Sequence, residues 1–363
     1  MTELGFDHVA DVVVVGAGGA GLPAAIMARD QGASVIVVEA NHDIGGHAML
    51  SGGRIPLGGG TSLQRMHGVC DSADQVYLDH TSYRSPVFRH ADRELVRVWA
   101  DENVATMEFL LENGVVFEED PPEIVNEGTV PRLFRTKRFS DDLNETIAGR
   151  PGSGLVRRLE QSARAKGVTF LLSHKMTRIL RERPSAGRVL AVTARCGESD
   201  VNVRARRGVI LATGGHSSNV AFRRMLDPRL TEEYQTAGEP WTGQDGDGET
   251  LAMAVGAALQ VTGHMTNGPG PIITKTLHIG CRWGYRNVKW DLKSPMFKLA
   301  GASGLTVKDF QDLILVTQAG RRFWNEIDDS YKFIDACLGS NGNLGRNGRG
   351  ANGGGPIWAI FDA

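Results

Sequence analysis

The first forty residues constrain this chain more than any other part of it. Asp11 to Val15 is a β-branched apolar run, Gly16-Ala-Gly-Gly-Ala-Gly21 follows directly, and an alanine-rich segment of helical character continues to about Gln31. That order reads as strand, turn, helix. Gly16 permits the sharp turn, Gly18 lets the backbone come close to a pyrophosphate, and Gly21 allows the helix to pack tightly on the strand. Gly19 and Ala20 complete the turn, and Pro23 is tolerated because a first-turn residue has no helical acceptor for an N–H. Phosphates placed at this helix N-terminus meet free N–H groups and a favourable dipole.

A second strand, Ser34 to Val38, ends in Glu39 and Ala40. An acid at that tip accepts hydrogen bonds from an adenosine ribose, which favours an unphosphorylated ribose, as in FAD or NAD. Composition narrows the field further. The 363 residues are 41% hydrophobic, enough for two domains and at least one large core. With 40 Lys+Arg against 42 Asp+Glu, neither nucleic acid nor an anionic membrane surface is expected as a partner. Cys70, Cys196, Cys281 and Cys337 are far apart with no CxxC pair, so they read as reduced thiols and no metal site is expected. Glu3 and Asp7 stand where a basic leader would be, and no run approaches the roughly 18 to 20 apolar residues of a membrane span. A cytoplasmic protein without a transmembrane segment is the expectation.

Three later glycine-rich pieces carry a family resemblance. Asp43-Ile-Gly45-Gly46-His47-Ala-Met-Leu-Ser51-Gly52-Gly53 resembles the loop that wraps the flavin ribityl chain and diphosphate in the fumarate reductase and ketosteroid dehydrogenase flavoproteins. Arg207 to Gly215, ending in Ala212-Thr213-Gly214-Gly215, resembles their second dinucleotide signature. Trp241-Thr-Gly-Gln-Asp-Gly-Asp247-Gly248 resembles their TGDG element with Gln-Asp interposed, followed by a helix from Glu249 to Leu259. Between these pieces, Gly154 to Lys166 reads as a helix. Val168 to Ser173, Val189 to Ala194 and Val201 to Ala205 read as strands of a small sheet. A nicotinamide enzyme needs no second glycine loop directly after the acid, so the cofactor implied is FAD. His47 stands close to where succinate dehydrogenases carry a flavin-linked histidine, which leaves covalent attachment open.

The implied fold class is α/β, with a Rossmann-like FAD-binding domain, parallel sheet plus small antiparallel sheet, over residues 1–268. A partial α+β cap domain is expected over 269–363. Gly320-Arg-Arg322-Phe-Trp-Asn-Glu326 resembles the GRRFxNE motif of the same flavoproteins, and Tyr331 follows, as a tyrosine does in ketosteroid dehydrogenases. By that resemblance the substrate is a small molecule, a ketone or an unsaturated acid. Tyr331 takes a proton while hydride goes to the flavin, and Glu326 and Arg322 serve as proton-relay or anchoring groups. Gly-Pro-Gly near residues 268–270 stands where fumarate reductases have HPT, which favours a ketone. An electron acceptor or donor is also implied, of unidentified kind. The resemblance leads one to expect a last glycine-rich segment over the flavin. None precedes Ala363, so the cap reads as incomplete, finished by further sequence or by a partner chain, and weak FAD binding with low activity is expected of the isolated chain.

Overall fold

The computed structural model describes residues 5–82, 92–124, 129–140, 151–226, 234–235, 243–260, 270–271, 313–316, 320–322 and 358–361. In chain order the elements begin β1 (His8–Val15), α1 (Gly21–Asp30), β2 (Val35–Val38), α2 (Gly46–Leu50), β3 (Arg54–Pro56), α3 (Ser62–Met66), α4 (Ala73–Thr81), α5 (Arg93–Glu112), β4 (Leu133–Arg135) and α6 (Ser153–Ala165). They continue with β5 (Thr169–Leu171), β6 (Lys175–Arg183), β7 (Ala186–Cys196), β8 (Ser199–Leu211), α7 (Val220–Leu226), β9 (Tyr234–Gln235), α8 (Asp247–Ala254), β10 (Gly270–Pro271), β11 (Leu313–Val316) and β12 (Trp358–Phe361).

A six-stranded sheet in the order β5-β2-β1-β8-β7-β6 carries the fold. β5, β2, β1 and β8 are mutually parallel, and β8, β7 and β6 form an antiparallel meander. Both faces of β1 and β2 are covered, which is why these strands are apolar throughout rather than alternating. On one face Val14, Val35 and Val37 pack with Leu22 and Ile26 of α1, Val156 and Leu159 of α6, and Met107 of α5. On the other, Val13, Val15 and Val38 pack with Met176, Val192 and Val203 of the meander and with Leu251 and Val255 at α8.

Two expectations about this sheet are corrected. Residues 169–171 do not belong to a small separate sheet. They pair in parallel with β2 at its edge, because α6 and β5 complete a second strand-helix-strand crossover. The segments 201–205 and 207–211 are one strand, β8, which pairs with β7 over Ser199 to Arg204 and with β1 from Val203 to Leu211. A bulge opposite Asp11 takes up Arg206 and Arg207, letting a single strand serve both arrangements. The helix expected to reach Leu259 stops at Ala254, and Gly256 with φ +95 follows shortly after.

A second cluster of elements, α3, α4, α5 and the β3-β4 pair, is held by a buried ion triad. Arg132 donates to Asp71 (2.7 and 2.9 Å) and to Asp79 (2.6 Å), and the three side chains are 6%, 0% and 7% exposed. Burial alone would raise the Asp71 carboxyl, but hydrogen bonds from Arg132, Gln64 and the Gly59 amide outweigh it and bring it to about 2. Among the described residues no helix is long and apolar enough to cross a membrane, and no cluster of three or more His, Cys, Asp or Glu is placed to hold a metal.

Candidate cofactor groove

The carboxyl ends of β1, β2 and β8 are where a doubly wound sheet opens to a ligand, because the flanking connections diverge there. A groove of about 800 Å³ sits at that edge. Gly16, Gly18, Gly19 and Ala20 line it from the β1–α1 turn, and Glu39 and Ala40 from the tip of β2. Gly45, Gly46 and His47 line it from the start of α2, Ala212, Thr213 and Gly214 from the end of β8, and Asp247 and Gly248 from the start of α8. The four glycine-rich pieces, spread from Gly16 to Gly248, therefore share one cavity.

Close backbone approach explains the residue types. A Cβ on Gly16 (φ +101) would stand 2.3 Å from the Ala212 carbonyl oxygen, so the first turn and the end of β8 fit against each other only without a side chain. The Ala212 amide donates to the Val15 carbonyl at 2.8 Å. A Cβ on Gly248 would be 2.0 Å from Thr213 Oγ1, and the Gly246 amide donates to the Gly215 carbonyl, so the third and fourth pieces are also in contact. By contrast a Cβ on Gly18 meets nothing nearer than the Gly45 carbonyl at 4.0 Å. There the missing side chain leaves room on the cavity side, at the N-terminus of α1 where a diphosphate is favoured. That open cradle, beside an acid at the tip of β2, fits the adenosine diphosphate portion of FAD.

Glu39 is already half committed. One carboxylate oxygen accepts from the Ala17 amide at 2.7 Å and the other from the Asn41 amide at 2.8 Å. Burial pushes the carboxyl above its ordinary range, although the amides of Ala17, Asn41 and Ala40 pull the other way. Three amides do not fill the four acceptor sites of the carboxylate, which leaves room for a ribose hydroxyl.

Other expected contacts fall elsewhere. Gly21 serves packing rather than the cavity, since a Cβ there would lie 1.8 Å from the Gly16 carbonyl oxygen. Gly215 is not among the groove residues and faces the Gln244 side chain. Ser51, Gly52 and Gly53 also lie off the groove: α2 turns the chain away, and Ser51 Oγ donates back to the Ala48 carbonyl. The Gly53 carbonyl accepts from the Thr136 amide on the far side. Arg322 is exposed, bridges to Val316 in an antiparallel pairing and does not line the groove. Tyr331 and Glu326 lie outside the described residues.

The groove also contains residues that motif reading passed over. His174, Lys175 and Met176, at the start of β6, form a wall beside Glu39, where the His174 amide donates to the Glu39 carbonyl. Gln244 and Asp245, interposed in the fourth piece, reach the cavity too. Lys175 Nζ pairs with Asp245 and Asp247, each at 3.0 Å. Burial pulls that ammonium down, but the hydrogen bonds to Asp247 and Asp245 outweigh it and hold Lys175 above its ordinary range. Glu249 pairs with His216 Nδ1 at 3.1 Å, and the imidazole stacks on Phe222. No periodicity marks Lys175 as a groove residue, because its place follows from β6 returning beside the tip of β2.

Comparison with known proteins agrees with this geometry. The chain is 29% identical over 353 residues to the acrylate reductase flavoprotein subunit of Shewanella woodyi, covering 93% of this chain but only 61% of that protein. It is 26% identical over 423 residues to a 3-oxosteroid 1-dehydrogenase of Mycolicibacterium smegmatis, covering 97% of this chain and 67% of the relative. Among solved structures, the 3-ketosteroid-Δ4-(5α)-dehydrogenase of Rhodococcus jostii RHA1 in complex with 4-androstene-3,17-dione superposes with a TM-score of 0.67 at 26% identity, over 92% of this chain and 64% of that one. Residues 11–352 match the FAD binding domain family, and the chain belongs to that family, with FAD as its cofactor.

Proposed function

We propose that this chain forms the FAD-binding part, residues 1–268, and some of the substrate-covering part, residues 269–363, of an oxidoreductase acting on a carbon–carbon bond next to a carbonyl. The observation that carries the reading is the single groove in which Glu39, the Gly16–Gly21 turn and the Ala212–Gly214 turn meet. Glu39 and the α1 N-terminus would hold the adenosine diphosphate portion. Bound flavin supplies the hydride acceptor. The protein must then move a proton on the adjacent carbon, and Tyr331 is the residue we assign to that step, with Glu326 and Arg322 supporting it. The preferred substrate is a rather apolar ketone, in keeping with Gly-Pro-Gly at 268–270 and with likeness to the two ketosteroid enzymes. An electron carrier completes the cycle.

A second reading, reduction of an unsaturated acid, is favoured by the 29% identity to the acrylate reductase subunit. Spectroscopy separates the two. The FAD-loaded chain, held anaerobic, should lose its visible flavin absorption when a saturated 3-ketosteroid is added. Reoxidation of the photoreduced protein by acrylate or fumarate, without ketone-driven bleaching, would transfer the assignment to the acid. Bound flavin that answers to neither substrate class would refute both.

A further inference from the structure

The groove must accept an anionic diphosphate, yet most of the Asp, Glu, Lys and Arg side chains that line it are anionic. Glu39, Asp245, Asp247 and Glu249 all line it, and the sole Lys or Arg among its described lining residues is Lys175. Lys175 stands on β6, and both its partners stand across from it on the turn that opens α8. Glu249 Oε1 lies 3.1 Å from His216 Nδ1, and Glu39 accepts from main-chain amides. Among the described residues, the cation that pairs with Asp245 and with Asp247 is the shared Lys175 ammonium, so two carboxylates share one cation.

We propose that Lys175 is a charge-balancing residue of the FAD site: it neutralises the Asp245–Asp247 pair so that the groove wall does not repel the dinucleotide diphosphate. The alternative for such a pair is a solvated surface ion pair of little consequence, since the three side chains are 51%, 49% and 38% exposed. What separates Lys175 from that case is position. An ordinary surface pair can be removed without altering the field in a cavity, whereas here both carboxylates remain on the groove wall once the ammonium is gone. The Gln244-Asp245 pair interposed in the fourth glycine piece contributes one of these carboxylates, which makes Lys175 and Asp245 a matched set. The proposal rests on the groove taking FAD and not on the choice of substrate, so failure of both ketone and acid to react leaves it standing.

The test is FAD affinity of the 363-residue chain by quenching of flavin fluorescence, at roughly 20 mM and 300 mM ionic strength, where the screening length falls from about 20 Å to about 6 Å. Lys175→Met should weaken FAD binding about tenfold at low salt, the effect of one uncompensated charge near the site. Added salt should recover much of that loss, because it screens repulsion. Lys175→Arg should bind within about twofold of the unsubstituted chain. The double variant Lys175→Met/Asp245→Asn should regain most of the affinity, which a merely packing role for the lysine does not predict. Lys175→Met binding FAD as the unsubstituted chain does at low salt would overturn the proposal. So would a loss that neither salt nor Asp245→Asn repairs, and so would an unsubstituted chain that binds no FAD.

Discussion

Replacing Arg132 by methionine, which fills much of the same space without the charge, leaves Asp71 and Asp79 facing each other's neighbourhood with no cation, at 0% and 7% exposure. Removing one partner of a buried pair costs about 3–5 kcal/mol, because the remaining charge stays out of water. Here the remaining carboxylates keep other donors. Asp71 still accepts from the Gly59 amide at 2.8 Å and Gln64 Nε2 at 3.0 Å, and Asp79 from Gln75 Nε2 at 2.9 Å and Thr129 Oγ1 at 3.0 Å. These donors keep both carboxylates partly solvated by the protein once the guanidinium is gone, so we expect a loss near the lower end of that range, about 3 kcal/mol at pH 7. The sign of the pH dependence follows from Asp71. Its carboxyl is lowered from 3.8 to about 2 in the folded chain, so the contribution is fully present above about pH 4 and is lost as the pH falls toward 2. Urea unfolding of the two proteins should therefore give midpoints well separated at pH 7 that converge in acid. The triple variant Arg132→Met/Asp71→Asn/Asp79→Asn should recover much of the stability. A deficit under 1 kcal/mol at pH 7, or one unchanged in the triple variant, would refute the reasoning.

Three further outcomes are expected. Glu39→Ala should lower FAD affinity about 10- to 100-fold in a fluorescence titration, since it removes charge-assisted acceptors of about 1.5–3 kcal/mol; an unchanged affinity would detach Glu39 from the cofactor. Gly21→Ala should destabilise the fold by about 3 kcal/mol or more in thermal melting, because its methyl would enter the Gly16 carbonyl oxygen, whereas Gly52→Ala, with nothing within 4 Å, should change neither melting temperature nor FAD binding. Tyr331→Phe should slow ketone-driven flavin bleaching by about 100-fold or more while leaving FAD affinity intact; equal rates would remove Tyr331 from the proton step.

The local pattern of the first forty residues was enough to specify β1, the glycine turn, α1, β2 and the acid at its tip. Each of those depends on neighbours in sequence: a buried apolar run, a turn without Cβ atoms, a helix start. The motif order likewise marked Ala212–Gly214 and Asp247–Gly248, which do enter the groove. Sequence alone misassigned what depends on pairing at a distance. Residues 169–171 are β-prone wherever they lie, and only the crossover through α6 decides that they join β2. Ser51–Gly53 are glycine-rich in the manner of a cofactor loop, and only the fold brings the Gly53 carbonyl to the Thr136 amide.

Lys175 illustrates the same limit from the other side. Nothing in its neighbours marks it, since a lysine at the start of a strand is ordinarily a solvated residue. It becomes part of the groove because β6 begins beside the tip of β2 and the turn before α8 closes over the same edge. Short-range sterics and hydrophobic pattern determined the elements and the glycine turns of this protein, because they act within a few residues. Which charges face one another across the cofactor groove was decided by tertiary structure alone, because electrostatic balance depends on distances that only the assembled sheet defines.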